Sequence, residues 1–209
     1  MALKKKNQTK RSANEQIQRK KERGFDELVA GLESSDVSVR RWCARDLATM
    51  ENSTGVLLSA LENEAEHVVF EAILDALESI GSDEVVLGLI PMLRSEDAAR
   101  RNGVIEALQS MPDMVALHII ELLNDTDSDM RIFAIDILQV LAHPDTPKWL
   151  LSVLKDETHI NVVSTAVDRL AEVGTPDMIN DIKALKERYP NEAYLHFAID
   201  TAVTRIVGE

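Results

Sequence analysis

From Phe25 to the C-terminus, apolar residues recur every three to four positions in runs of about a dozen, and polar turns interrupt the runs at regular distances. That spacing puts one apolar stripe along a helix. In "VVFEAILDALESI" the apolar positions are Val69, Ile73, Leu74, Leu77 and Ile80. The same template fits the stretches beginning at Asp36, Asp97, Asp127 and His159. Aligned on it, one leucine column reads Leu47, Leu77, Leu108, Leu138 and Leu170, with spacings of 30, 31, 30 and 32. A second column lies in the intervening helices, at Leu32, Leu61, Leu93, Leu123, Leu154 and Leu185, with spacings of 29, 32, 30, 31 and 31. Two independent columns with one period define a repeat of two helices.

The punctuation agrees with this division. Breakers fall between repeats at Asn52-Ser53-Thr54-Gly55, Gly81-Ser82-Asp83, Pro112-Asp113, Pro144-Asp145-Thr146-Pro147 and Gly174-Thr175-Pro176-Asp177. Within repeats, short turns such as Ser34-Ser35-Asp36 and Asp125 to Asp129 supply N-caps for the second helix. Five clear repeats run from Phe25 to Asp177, and a degenerate sixth follows, with its turn at Tyr189-Pro190-Asn191. A pair of helices of this length cannot bury its apolar face alone, so neighbours must stack in chain order.

The repeat resembles the HEAT family, in its PBS-lyase HEAT-like form. The residues that carry the likeness are an acidic turn residue (Asp36), Val39-Arg40, Ala44 and Leu47, and then Leu77 with Ile80-Gly81. The third repeat departs from the pattern: Arg100 stands where others have Val or Met, and Gly103 is expected to interrupt the helix. The resemblance implies an all-α, right-handed α-solenoid of about six two-helix repeats over residues 25–209. It also implies that the second helices line the concave side.

Composition adds an asymmetry. Of the 23 Lys and Arg and 36 Asp and Glu, nine basic and two acidic residues fall in positions 1–24, a net of +7 there and −20 beyond. The expectation is a basic flexible tail (1–24) ahead of an acidic body. The tail either is solvated, binds an acidic partner, nucleic acid or anionic lipid, or folds back onto the body. The start lacks the apolar run of a secretory signal, no stretch is long enough to span a membrane, and there is one cysteine, Cys43. A reducing, cytoplasmic setting is expected.

Candidate chemistry is sparse. The HEAT family includes a di-iron hydroxylase with His-Glu pairs, but the five histidines here precede Val68, Ile119, Pro144, Ile160 and Phe197. Asp125, Asp127 and Asp129 with Asp136 imitate a calcium loop, except that Met130 occupies the position that needs Gly. No phosphate loop, nucleophile–base order or carboxylate pair emerges. No catalytic residue, cofactor or metal is therefore expected, and the chain reads as non-enzymatic. HEAT-like DNA glycosylases need a basic concave face, which a body at −20 lacks.

What remains is a surface. Six positions after the first buried residue of each second helix stand Arg45, Asp75, Glu106, Asp136 and Asp168, and these are expected to point outward. Arg41 and Glu71 flank them, and Trp42 and Phe133 sit at the edge of the buried stripe. Such a row is either an ordinary solvated face or a groove for a protein partner with a basic or helical surface. Arg40, Arg101 and Arg131 are expected to bond turn acids of neighbouring repeats. The functional expectation is an interaction scaffold or adaptor. The alternatives are a bilin lyase-like subunit, as the family likeness implies, and a nucleic-acid factor acting through residues 4–23.

Overall fold

A computed structural model describes residues 23–141 and 143–208; the expected tail, apart from Arg23 and Gly24, lies outside the described residues. Described are α1 (Phe25–Leu32), α2 (Val37–Leu47), α3 (Thr54–Asn63), α4 (His67–Ile80), α5 (Asp83–Leu89), α6 (Ala98–Gln109), α7 (Pro112–Val115), α8 (Ile119–Leu123), α9 (Ser128–Leu138), α10 (Thr146–Asp156), α11 (Ile160–Val173), α12 (Ile179–Arg188) and α13 (Ala193–Val207). Short 3-10 segments cover Ile90–Arg94 and Pro176–Met178, and no strand occurs among the described residues. The chain divides into two compact units, Met1–Ala76 and Leu77–Glu209.

In the first unit α1 packs against α2. Their approach is close because Gly31 faces Cys43: a Cβ on Gly31 would lie 2.3 Å from the Cys43 sulfur. Leu28, Ala44, Leu47, Leu57 and Leu61 are fully buried. Asp36 starts α2 as expected, its side chain accepting from the Ser38 N–H at 2.8 Å. Arg23 donates to Asp46 at 2.6 Å and to the Cys43 sulfur at 3.4 Å.

In the second unit the second helices form a ladder in chain order, α6 on α9, α9 on α11 and α11 on α13. This is the stacking that a solenoid requires. The leucine columns are its spine: Leu77, Leu108 and Leu170 are 0% exposed and Leu138 1%. Asp97 and Asp127 cap α6 and α9 from the turns named above. Gly81 ends α4 at φ +57°, a left-handed conformation that favours glycine and explains the Ile-Gly signature.

Three details differ from expectation. Thr54 and Gly55 lie inside α3 and not in the breaker before it: the helix begins at Thr54, with Ser53 at its N-cap. Gly103 does not interrupt α6, which runs unbroken across it; buried Val104, Ala107 and Leu108 anchor that turn. The first helices of repeats three and four are broken. Pro91 introduces the 3-10 segment after α5, and a turn at 116–118 separates α7 from α8.

Candidate protein-binding face

The nominated surface positions fall into two sets, one in each unit. In the first unit Arg45, Glu71 and Asp75 are exposed, while Arg41 and Trp42 are half-buried. α2 turns Cys43, Ala44 and Leu47 inward, which leaves Arg45 on the opposite side. Its guanidinium lies over the Trp42 ring, 5.4 Å from the centroid, so this aromatic carries a cationic lid.

In the second unit Glu106 and Asp168 are exposed, but Asp136 is not the outward residue that its helical position predicts. It is half-buried, and burial pushes its carboxyl above the usual range while Arg169 on α11 works against that shift. The cause is the ladder: α11 packs across α9 and covers the position. Gln109 of α6 donates to the Asp136 carbonyl at 2.8 Å. Arg101 lies over the half-buried Phe133 ring at 5.5 Å.

Two aromatics escaped the sequence reading. Tyr194, 66% exposed, donates its hydroxyl to Asp168 at 3.4 Å, and Phe197 is 70% exposed. Their signal was present: on α13 they stand three apart, opposite the buried Leu195, Ala198 and Ile199. Large exposed aromatics beside carboxylates give the α11–α13 end of the ladder both apolar anchors and negative charge.

The arginines named above serve the fold, and two of them do so in the same way. Arg40 reaches Glu64 through Nε and Nη2 at 2.7 and 3.0 Å, and Arg131 reaches Glu157 at 2.6 and 3.0 Å. Both also donate to a carbonyl of their own turn, Ser34 and Asp125, at 2.8 Å. Each glutamate accepts the N–H of the residue two positions on, Glu66 or His159, at the start of the next second helix. Burial pushes these carboxyls up, but the arginines and backbone N–H groups prevail and hold both below the usual glutamate value. Arg101 keeps the carbonyl bond, to Ser95 at 2.7 Å. In its repeat Arg94 grips the turn acids, Asp125 and Asp127, at 2.7 and 3.1 Å. The calcium-like stretch is thus a capping and ion-pair turn. Cys43 is buried, and its thiol pKa is raised by desolvation. Among the described residues no group of three or more His, Cys, Asp and Glu is placed to hold a metal ion, and no helix is long and apolar enough to cross a membrane.

This architecture, helix pairs stacked on two buried leucine columns, is that of an α-solenoid. The model for HEAT repeats matches residues 25–109 and 116–195, and the chain belongs to the HEAT-repeat family. It is similar to the bilin biosynthesis protein PecE of Mastigocladus laminosus, at 28% identity over 167 residues. The match covers 78% of this chain and 61% of the relative, so the chain spans under two thirds of that protein's length. Among solved structures, the complex of CpcE and CpcF of phycocyanin lyase from Nostoc sp. PCC7120 aligns at 17% identity and TM-score 0.39, over 89% of this chain and 96% of the other. Human deoxyhypusine hydroxylase aligns at 15% identity and TM-score 0.46, over 88% and 84%. The relative named for bilin biosynthesis overturns the expectation of a non-enzymatic chain.

Proposed function

We propose that the chain is a repeat-scaffold subunit of an enzyme acting on bilins, and that it meets a partner protein through the exposed face of its second helices. The observation that carries this reading is the similarity to PecE, which extends over 78% of the chain and so takes in most of the repeats. The surface supports the second half of it. Glu106 and Asp168 set a negative potential on the ladder, and at its α13 end Tyr194, bonded to Asp168, and Phe197 supply area that water solvates poorly. A partner with Lys or Arg around an apolar pocket is complementary to that combination.

The test is expression in a host that makes a bilin, with and without a second lyase-type HEAT subunit. Pigment should stay with the chain or the complex through size-exclusion chromatography. Glu106→Lys with Asp168→Lys should dissolve the complex without unfolding the chain. A colourless chain that forms no complex under either condition overturns the reading.

A further inference from the structure

The side of the second unit built from the first helices carries an apolar patch that the repeat pattern does not require. Six residues before the column leucines Leu61, Leu93, Leu123 and Leu154 stand Gly55, Leu87, Leu117 and Lys148. Of these four, Leu87 and Leu117 are large and apolar, and both are exposed, at 50% and 68%, whereas Ile179, at the same offset before Leu185, is half-buried. Three residues further along, Ile120 is 48% exposed. A solvated surface has no folding reason to hold three such residues in adjacent repeats, and exposure of this kind marks an interaction site.

The backbone opens a recess beside Leu87, lined in part by His118 and Glu121, the chain neighbours of Leu117 and Ile120. Pro91 bends α5 into its 3-10 continuation, and α8 starts late, so Leu87, Ile90, Pro91, Leu122 and two polar neighbours, His118 and Glu121, enclose a hollow of about 140 Å³ together with Asp125. That is the scale of a cavity that admits one ring or branched side chain. The surroundings are acidic: Glu121 and Asp125 belong to the lining, and exposed Glu84 stands three residues before Leu87 on α5. The nearby basic groups are already engaged, His118 with Asp83 at 2.5 Å and Arg94 with Asp125 and Asp127. An apolar recess among carboxylates repels a second copy of itself and an anionic membrane alike.

We propose that this patch docks an amphipathic helix of a partner protein, with Leu, Met or Phe entering the recess and Lys or Arg meeting Glu84 and Glu121. The surface is separate from the second-helix face, so a chain held by one partner there remains open to another here.

The probe is an 18-residue peptide of Leu and Lys at helical spacing, titrated calorimetrically into the full chain. A scrambled peptide of the same composition serves as the control. Tight binding of the patterned peptide, at least tenfold weaker binding of the scrambled one, and a tenfold loss in Leu117→Asp and in Leu87→Asp are expected. Both substitutions are at exposed positions, and an unchanged thermal midpoint verifies that the fold survives. Equal binding of the two peptides, or full binding by both variants, overturns the proposal. Concentration-dependent dimerisation of the wild-type chain that Leu117→Asp abolishes overturns it in favour of a second copy.

Discussion

Arg40 and Glu64 meet fork to fork, with both carboxylate oxygens bonded and the glutamate side chain only 7% exposed. One side chain thereby joins the second helix of repeat one to the turn of repeat two, and Arg131 with Glu157 does the same for repeats four and five. Removing one member leaves the other charge desolvated without its partner. Arg131→Ala should therefore lower the unfolding free energy by about 3 kcal/mol, measured by urea titration. Arg131→Lys should recover only part of the loss, because an ammonium cannot span both oxygens. A lysine variant as stable as the parent would show that charge alone suffices.

The same carboxylates set the response to acid. Glu64 and Glu157 titrate below their ordinary value in the folded chain. Depressed folded values mean that their contribution is present above the unfolded glutamate pKa and is lost as pH falls through the folded value. Asp136 has the opposite sign: its raised value favours the folded state below the unfolded aspartate pKa, and that advantage is lost as pH rises through the folded value. Unfolding free energies taken from pH 7 downward should show a shallower acid loss in Glu64→Gln and Glu157→Gln. Asp136→Asn should be stabilised relative to the parent at pH 7 more than at acid pH.

The repeat was legible because its signal is local and duplicated. Leu77 and Leu138 each occupy a helical stripe and a column of five, so two periods fix their burial. The arginine bonds were legible for the same reason, since Arg40 and Arg131 recur in register with an acid in the next turn. Asp136 was not, because whether α11 covers it depends on how one repeat packs on the next, and a helical wheel holds only one helix. Tyr194 and Phe197 were hidden by the degeneracy of the last repeat, which offers no column against which an exposed aromatic stands out. The break after α5 has a local cause in Pro91, which is not among the breakers named from the sequence, and the recess beside it needed the geometry of two repeats at once.

The exposed acids of both units should tolerate charge reversal. Asp75, Glu106 and Asp168 are exposed, and substitutions at such positions ordinarily change stability by no more than about 0.5 kcal/mol. Changing all three to Lys should leave the helical circular dichroism and thermal midpoint intact while weakening partner capture. The parent's binding should also fall with added salt, since exposed charges are screened over about 8 Å at physiological ionic strength. Salt-insensitive capture that survives the triple change would place the interface elsewhere on the chain.

Gly31 and Cys43 give the sharpest test of helix packing. A methyl group on Gly31 would overlap the Cys43 sulfur at 2.3 Å, and that sulfur belongs to a residue only 1% exposed. Gly31→Ala should therefore destabilise by about 1–3 kcal/mol, the range for overpacking a filled core. Alanine nevertheless suits a helix better than glycine by up to about 1 kcal/mol, a gain that the overlap masks. Deleting the sulfur should unmask it. In a Cys43→Ala background the nearest remaining atom, the Cβ of residue 43, is 3.5 Å away, an ordinary contact. The effect of Gly31→Ala should then change sign, from loss to gain, in a double-mutant cycle followed by urea unfolding. If the substitution costs the same in both backgrounds, the glycine is required by the backbone of α1 and not by the approach of α2.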